Sequence, residues 1–234
     1  MPLNISRIQA ICLDIDGTLR DTDDQYVARV AQLLRPLRRL LPQREPHLAA
    51  RWLVMRFEGP VNSLFALADR LGLDAALHRI LDLSNPWRSS RGAPAYVLIP
   101  KIRPAIEILS KHFPLAIVTA RGTSGTQTFL KDTQLEEYFS SVVTALTTKH
   151  GKPSADPVLW AAQKMNTKPQ NCLMVGDTIV DIIAGKAAGA QTVGLLSGFG
   201  DEAELRAYGA DLILKSLADL PDALSLVKRD SLLI

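Results

Sequence analysis

The sequence predicts an α/β fold: a parallel sheet with helices on both faces, interrupted after its first strand by an all-helical insertion. Three observations carry this. Six short runs, mostly rich in Val, Ile and Leu (IQAICLDI, FPLAIVT, SSVVTAL, NCLMVG, AQTVGLL and ADLILK), are bounded by Gly, Pro, Asn, Asp or polar clusters. Helix-like segments separate the later runs at about 30 residues per unit, the length of a strand–helix–strand unit. Between Asp21 and about Leu98 the rhythm stops, and long stretches of helical spacing follow one another with no clear strand.

The elements follow in chain order. IQAICLDI is the first strand and leads straight into Asp14-Ile15-Asp16-Gly17-Thr18. The insertion carries YVARVAQLLRPLRRLL, HLAARWLVMRF, VNSLFALADRLGL and AALHRILDL, with Pro36, Pro42, Pro46, Pro60, Pro86 and Pro94 at expected kinks or helix boundaries. Helices are then expected over Pro104 to Lys111, Thr123 to Lys131 and Asp156 to Met165, the last with Pro157 in its first turn, where proline is tolerated. A fourth, Thr178 to Ala188, stops on Gly189. The boundaries that result are a core of residues 1–20 plus 99–234 and an inserted helical domain of residues 21–98. No repeat of solenoid period and no low-complexity tail is present.

Composition limits the function classes. The 234 residues hold 47% hydrophobic and 22% charged side chains, the balance of a soluble globular protein. Cys12 and Cys172 both lie in apolar runs, so buried thiols in a reducing compartment explain them better than a disulfide. No apolar run approaches the roughly 20 residues of a membrane span, and MPLNISRIQA lacks the order of a signal peptide. A cytoplasmic protein without membrane partners is the expectation. Between Gln25 and Pro60, Arg29, Arg35, Arg38, Arg39, Arg44, Arg51 and Arg56 face only Glu45 and Glu58, a local +5 against +3 for the whole chain. This stretch reads first as a solvated helix face. The alternative is a field that draws in an anionic ligand. No RNA- or DNA-binding signature accompanies it, so no nucleic-acid partner is expected.

The chemistry-bearing residues fall at strand ends. Alternation along an extended chain puts Asp14 and Asp16 on one side, and two adjacent carboxylates need a cation or an altered pKa to coexist. VGDTIVD repeats the theme, with Asp177 at a strand exit and Asp181 one helical turn on. LAIVT ends in Thr119, followed by Ala120 and Arg121, and HGKP supplies Lys152 ahead of a helix. Ligands of an open parallel sheet bind outside the carboxyl ends of its strands. Each residue alone has a bland explanation, an aspartate as helix cap or a lysine as surface charge. Together they suit oxygen-ligated Mg²⁺ beside a phosphoryl group. Zinc is not expected, since His47, His78, His112 and His150 show no ligand spacing.

LDIDGTL, IVT, HGKP and VGDTIVD, in that order, resemble the four motifs of the haloacid dehalogenase-like hydrolase superfamily. SGFGDEAELRAYGADLILKSLADLP is similar to the C-terminal part of its phosphoglycolate-phosphatase-like members. The resemblance implies a Rossmann-like core with a helical type-one cap, residues 21–98, that closes over a small phosphorylated substrate. It makes Asp14 the nucleophile of an aspartyl-phosphate and Asp16 the acid, then base. It assigns Mg²⁺ to Asp14, the Asp16 carbonyl and Asp177. Thr119, the Ala120 backbone and Lys152 would bind phosphoryl oxygens, and Asp181 would order Lys152 or metal-bound water. An aspartate at position 16 points to phosphoryl rather than carbon–halogen chemistry, since dehalogenase relatives lack it. Lys101 stands where the family commonly has glycine, and Arg121 either adds charge to the site or faces solvent. Mg²⁺-dependent phosphomonoester hydrolysis is the leading expectation, with 2-phosphoglycolate implied by the C-terminal likeness alone. A phosphosugar mutase and a catalytically weak member that binds a phospho-ligand or partner are the alternatives. Monomer and homodimer both remain open.

Overall fold

A computed structural model describes residues 3–20, 30–40, 46, 49–50 and 96–226. Six strands, β1 (Ala10–Leu13), β2 (Leu115–Val118), β3 (Ser141–Val143), β4 (Cys172–Gly176), β5 (Gln191–Leu195) and β6 (Leu212–Leu214), form one sheet in the order β3-β2-β1-β4-β5-β6. Every neighbouring pair is parallel, as the alternating pattern predicts. The four residues of β1 and the five of β4 are buried throughout, so both sheet faces are covered and the runs read as continuously apolar rather than alternating.

Helices α1 (Ile102–His112), α2 (Thr123–Asp132), α3 (Asp156–Lys164) and α4 (Ile179–Ala187) lie within a residue or two of their expected spans. Their burial shows why they form. In α1, Ile102, Ala105, Ile106 and Leu109 are buried at i, i+3, i+4 and i+7. Each large apolar side chain so removed from water contributes about 1.5–3 kcal/mol. Lys101, just before α1, has φ +65°, the left-handed region that favours glycine. Two short helices, α5 (Glu202–Ala207) and α6 (Leu220–Ala223), were not expected from periodicity. At six and four residues they are too short to show it.

One core cluster gathers Ile11, Leu13, Ile106, Phe129 and Val175. Another gathers Cys12, Val118, Ala161, Cys172 and Met174. Both cysteines are unbonded to each other and buried, matching the sequence reading. No helix among the described residues is long and apolar enough to cross a membrane.

Most of the expected helical insertion, with Arg29, Arg44, Arg51 and Arg56, lies outside the described residues. Within them, residues 30–34 are helical and pass into a 3₁₀ turn at Arg35–Leu40, so Pro36 falls where the helix changes. The two chain segments flanking the insertion meet at the core. Arg20 bridges Leu98 in antiparallel fashion, and the Ile99 amide donates to the Leu19 carbonyl (3.0 Å).

Candidate active site

Strand β1 ends at Leu13, and the Asp14 amide continues its ladder by donating to the Val175 carbonyl (3.0 Å). The carboxylate that follows is therefore fixed at the carboxyl edge of the sheet, beside the exit of β4. Lys152, from the loop before α3, is almost fully buried and spans two carboxylates: its Nζ donates to Asp14 Oδ1 (2.8 Å) and to Asp181 Oδ1 (2.6 Å). Asp181 is pinned from its other side. Its Oδ2 accepts from the Thr178 amide (3.1 Å) and hydroxyl (2.8 Å), a capping box that starts α4.

Asp177 is fully buried, and its Oδ2 accepts from the Phe199 amide (2.8 Å). Glycines let the backbone close around it. A Cβ on Gly17 would lie 2.2 Å from Asp177 Oδ2, and one on Gly198 would lie 2.0 Å from it. Gly17 also has φ +75°, a turn that a side chain disfavours. Phe199 reaches the other way, into a small apolar cluster with Val30, Ala31, Leu34 and Ala50 of the insertion.

Asp14, Asp177 and Asp181 each bring an oxygen within 4.8 Å of the others. Burial pushes the Asp14 carboxyl up to about 7; Lys152 pulls it down, but the charges of Asp181 and Asp16 add to the rise. Burial opposes the charge on Lys152 too, yet Asp14 and Asp181 outweigh it and hold the ammonium well above its ordinary range. Lys152 thus does not offset the burial of Asp14, whose protonated form is favoured, and a bound cation would supply further positive charge to the cluster. Hard oxygen donors in this number suit Mg²⁺ rather than a soft metal.

Asp16 belongs to the same rim but faces different partners. Its Oδ1 lies 3.5 Å from Arg20 Nη1 and its Oδ2 lies 3.3 Å from Arg121 Nε. Both guanidiniums sit over the ring of Tyr96, at 4.9 Å and 5.7 Å from its centroid. Tyr96 in turn packs edge-on against Phe129 of α2. Arg121 therefore sits against Asp16 rather than facing solvent.

Thr119 extends β2, its amide donating to the Val143 carbonyl (2.9 Å). Its Oγ1 accepts the Arg121 amide (3.2 Å), which curls the loop holding Ala120 back over the hydroxyl. Thr119, Ala120 and Arg121 stand at the exit of β2, Asp14 at β1, and Asp177 and Asp181 at β4. Lys152 reaches this group from its loop. The sequence reading missed Arg20, Tyr96 and Phe199. Arg20, one turn beyond Asp16, was within reach of spacing arguments; Tyr96 and Phe199 are brought in by the fold alone.

A model of the haloacid dehalogenase-like hydrolase family matches residues 11–195. The pyrophosphatase PpaX of Anoxybacillus flavithermus is 28% identical over 227 residues, 95% of this chain and 99% of that protein. Among solved structures, a hydrolase from Pseudomonas syringae is 26% identical with a TM-score of 0.65, covering 94% of this chain and 99% of its own. A HAD family hydrolase from Deinococcus radiodurans, solved with bound phosphate and sodium, reaches a TM-score of 0.67 at 23% identity. That match covers 95% of this chain and 98% of the other.

Proposed function

The chain belongs to the haloacid dehalogenase-like hydrolases, and from this premise we propose that it is a phosphatase that hydrolyses a small phosphorylated metabolite with Mg²⁺ through an aspartyl-phosphate on Asp14. The observation that carries the reading is the buried chain Asp14–Lys152–Asp181 beside Asp177. Asp14, the Asp16 carbonyl and Asp177 would hold the cation. Bound there, Mg²⁺ supplies the charge that lets a carboxylate approach a phosphate dianion.

The residues of the chain divide the rest of the work. Thr119 already accepts the Arg121 amide, so its own O–H is left to donate to a phosphoryl oxygen. Lys152 gives N–H groups to Asp14 and Asp181 and has a further one for the same phosphoryl group. Asp14 attacks phosphorus, the bond to the leaving oxygen breaks, and Asp16 gives that oxygen a proton. Asp16, now a carboxylate, takes a proton from water as the water attacks phosphorus. Orthophosphate leaves and the Asp14 carboxylate is restored. Residues 21–98 form the cap of this reading, with residues 1–20 and 99–234 as core; the cap excludes bulk water during the first displacement.

Two substrate candidates have separate support. The likeness of the C-terminal stretch favours 2-phosphoglycolate, and the activity named for the Anoxybacillus relative favours pyrophosphate. Phosphate release from a panel of phosphomonoesters and pyrophosphate, with Mg²⁺ and with EDTA, tests the reaction. We expect release with Mg²⁺, its loss in EDTA, and a fall of at least about 10³-fold in Asp14→Asn, since no covalent route remains. Unchanged hydrolysis in Asp14→Asn sinks the assignment.

A further inference from the structure

Arg121 brings into the site a guanidinium that Asp16 engages only in part. Arg20 and Arg121 both lie against the Asp16 carboxylate and over the face of Tyr96. Arg121 engages Asp16 through Nε. Its Nη1 is buried and has no hydrogen-bond partner among the described residues. A buried donor left without an acceptor is costly, and a native site that keeps one usually has a ligand atom to complete it.

The position of Asp16 says which ligand atom. In the proposed reaction the transferred phosphoryl group lies against Asp14, Thr119 and Lys152, and the leaving oxygen lies at Asp16. The leaving group therefore departs past the carboxylate that Arg121 holds. A neutral alcohol would offer the Arg121 donor a hydroxyl oxygen at most and no charge. A leaving group bearing a second anion next to the scissile oxygen would supply both the charge and the acceptor. The loop is rigid enough to discriminate: the Arg121 amide is tied to Thr119 Oγ1, and its carbonyl accepts the Ala145 amide (2.9 Å).

We propose that Arg121, backed by Arg20 and Tyr96, binds a second anionic group on the leaving-group side, selecting substrates whose scissile oxygen is flanked by a carboxylate or a second phosphoryl group. This rests on the phosphatase reading and narrows its substrate class. The guanidinium forms no covalent bond; it neutralises the second anion and holds the leaving oxygen at Asp16.

The test compares 2-phosphoglycolate and pyrophosphate with 2-hydroxyethyl phosphate, which replaces the carboxylate by a neutral hydroxymethyl group. Wild type, Arg121→Met and Arg121→Lys are assayed with Mg²⁺. A site that pairs a buried donor with a substrate group should favour 2-phosphoglycolate or pyrophosphate over 2-hydroxyethyl phosphate by about 100-fold in kcat/KM. The preferred one tells carboxylate from phosphoryl. Arg121→Met should shrink that ratio at least about 10-fold, chiefly through KM of the preferred substrate, and Arg121→Lys should recover part of it, a point charge without the fork. A ratio near one in wild type overturns the proposal. So does an equal fall for all three compounds in Arg121→Met, which would leave Arg121 merely positioning Asp16. Should wild type turn over none of them, 2-phosphoglycolate and pyrophosphate fall as substrates, and the phosphatase reading itself is decided on the wider panel. Selectivity is then read as Kd by titrating 2-phosphoglycolate, pyrophosphate and 2-hydroxyethyl phosphate into Asp14→Asn and Asp14→Asn/Arg121→Met, and equal Kd values overturn it independently.

Discussion

Asp14 sits between opposing demands: the proposed reaction wants it ionised, and its burial beside other carboxylates favours the protonated form. Its carboxyl rises from an ordinary 3.8 to about 7 because desolvation and the charges of Asp181 and Asp16 exceed the pull of Lys152. A group whose native pKa lies above its unfolded value contributes stability that is full below the unfolded value and is lost as pH climbs through the native one. For Asp14 that window runs from about 4 to about 7. Lys152 is also raised, and its contribution persists until strongly alkaline pH, so it leaves the window unaltered. Urea unfolding in EDTA at pH 5, 6, 7 and 8 should therefore show wild type losing stability relative to Asp14→Asn as pH rises. Parallel curves for the two proteins would mean that Asp14 titrates alike folded and unfolded. Magnesium should remove the difference in wild type by replacing the proton as the compensating charge. The residue scale is also where the sequence was most and least legible. Asp14, Thr119 and Asp177 follow strand ends, Lys152 precedes a helix and Asp181 lies in the first turn of one, and chain order exposes that. Arg121 stayed undecided because its partner depends on where Arg20 and Tyr96 come to lie.

At the scale of elements, the site is held by loops pressed together, and glycine makes the closeness possible. The segment after β5 runs over the turn after β1: Ser197 Oγ donates to the Gly17 carbonyl (2.8 Å), and the Phe199 amide reaches Asp177. Between them, Gly198 leaves no room for a side chain, since its Cβ would meet both Asp177 Oδ2 and, at 2.7 Å, the Gly17 Cα. A carboxylate could swing aside, but the backbone of Gly17 is fixed by its own turn. Gly198→Ala should thus cost about 1–3 kcal/mol of stability, in line with overpacking. It should also raise the Mg²⁺ concentration for half-maximal activity about 10-fold or more. A Mg²⁺ titration of activity beside thermal unfolding checks both, and an unchanged titration would show that Asp177 does not hold the cation. The sequence carried none of this, because GFG reads as turn residues and nothing in it names the strand it will lie against. Lys101 makes the opposite point. The family likeness marked it as a glycine position, and the left-handed φ there is the physical reason.

Across the whole molecule, the sheet order explains why one rim collects the chemistry. The chain runs outward from β1 through β2 to β3, then returns to lay β4 on the other side of β1. The reversal opens a crevice between β1 and β4 at their carboxyl ends, the general binding place of doubly wound sheets. Asp14 enters from one wall, and Asp177 and Asp181 from the other. The insertion starts and returns beside the same crevice, where Arg20 and Leu98 meet. Alternating strands and helices made this architecture legible in the sequence; the meeting of the insertion's two ends at Asp16 is a product of packing and was not. Because the carboxylates are far apart in the chain, an unfolded chain cannot gather them, and Mg²⁺ should bind the native state almost alone. Mass action then gives about 2.7 kcal/mol of stabilisation at 100 times Kd. For a chain of this length that is a rise of about 5–11 °C in Tm. Asp177→Asn should lose most of that rise, and NaCl at matched ionic strength should not reproduce it in wild type, since screening acts weakly on buried charges. An equal Mg²⁺ shift in wild type and Asp177→Asn would place the cation elsewhere and remove the crevice from the mechanism.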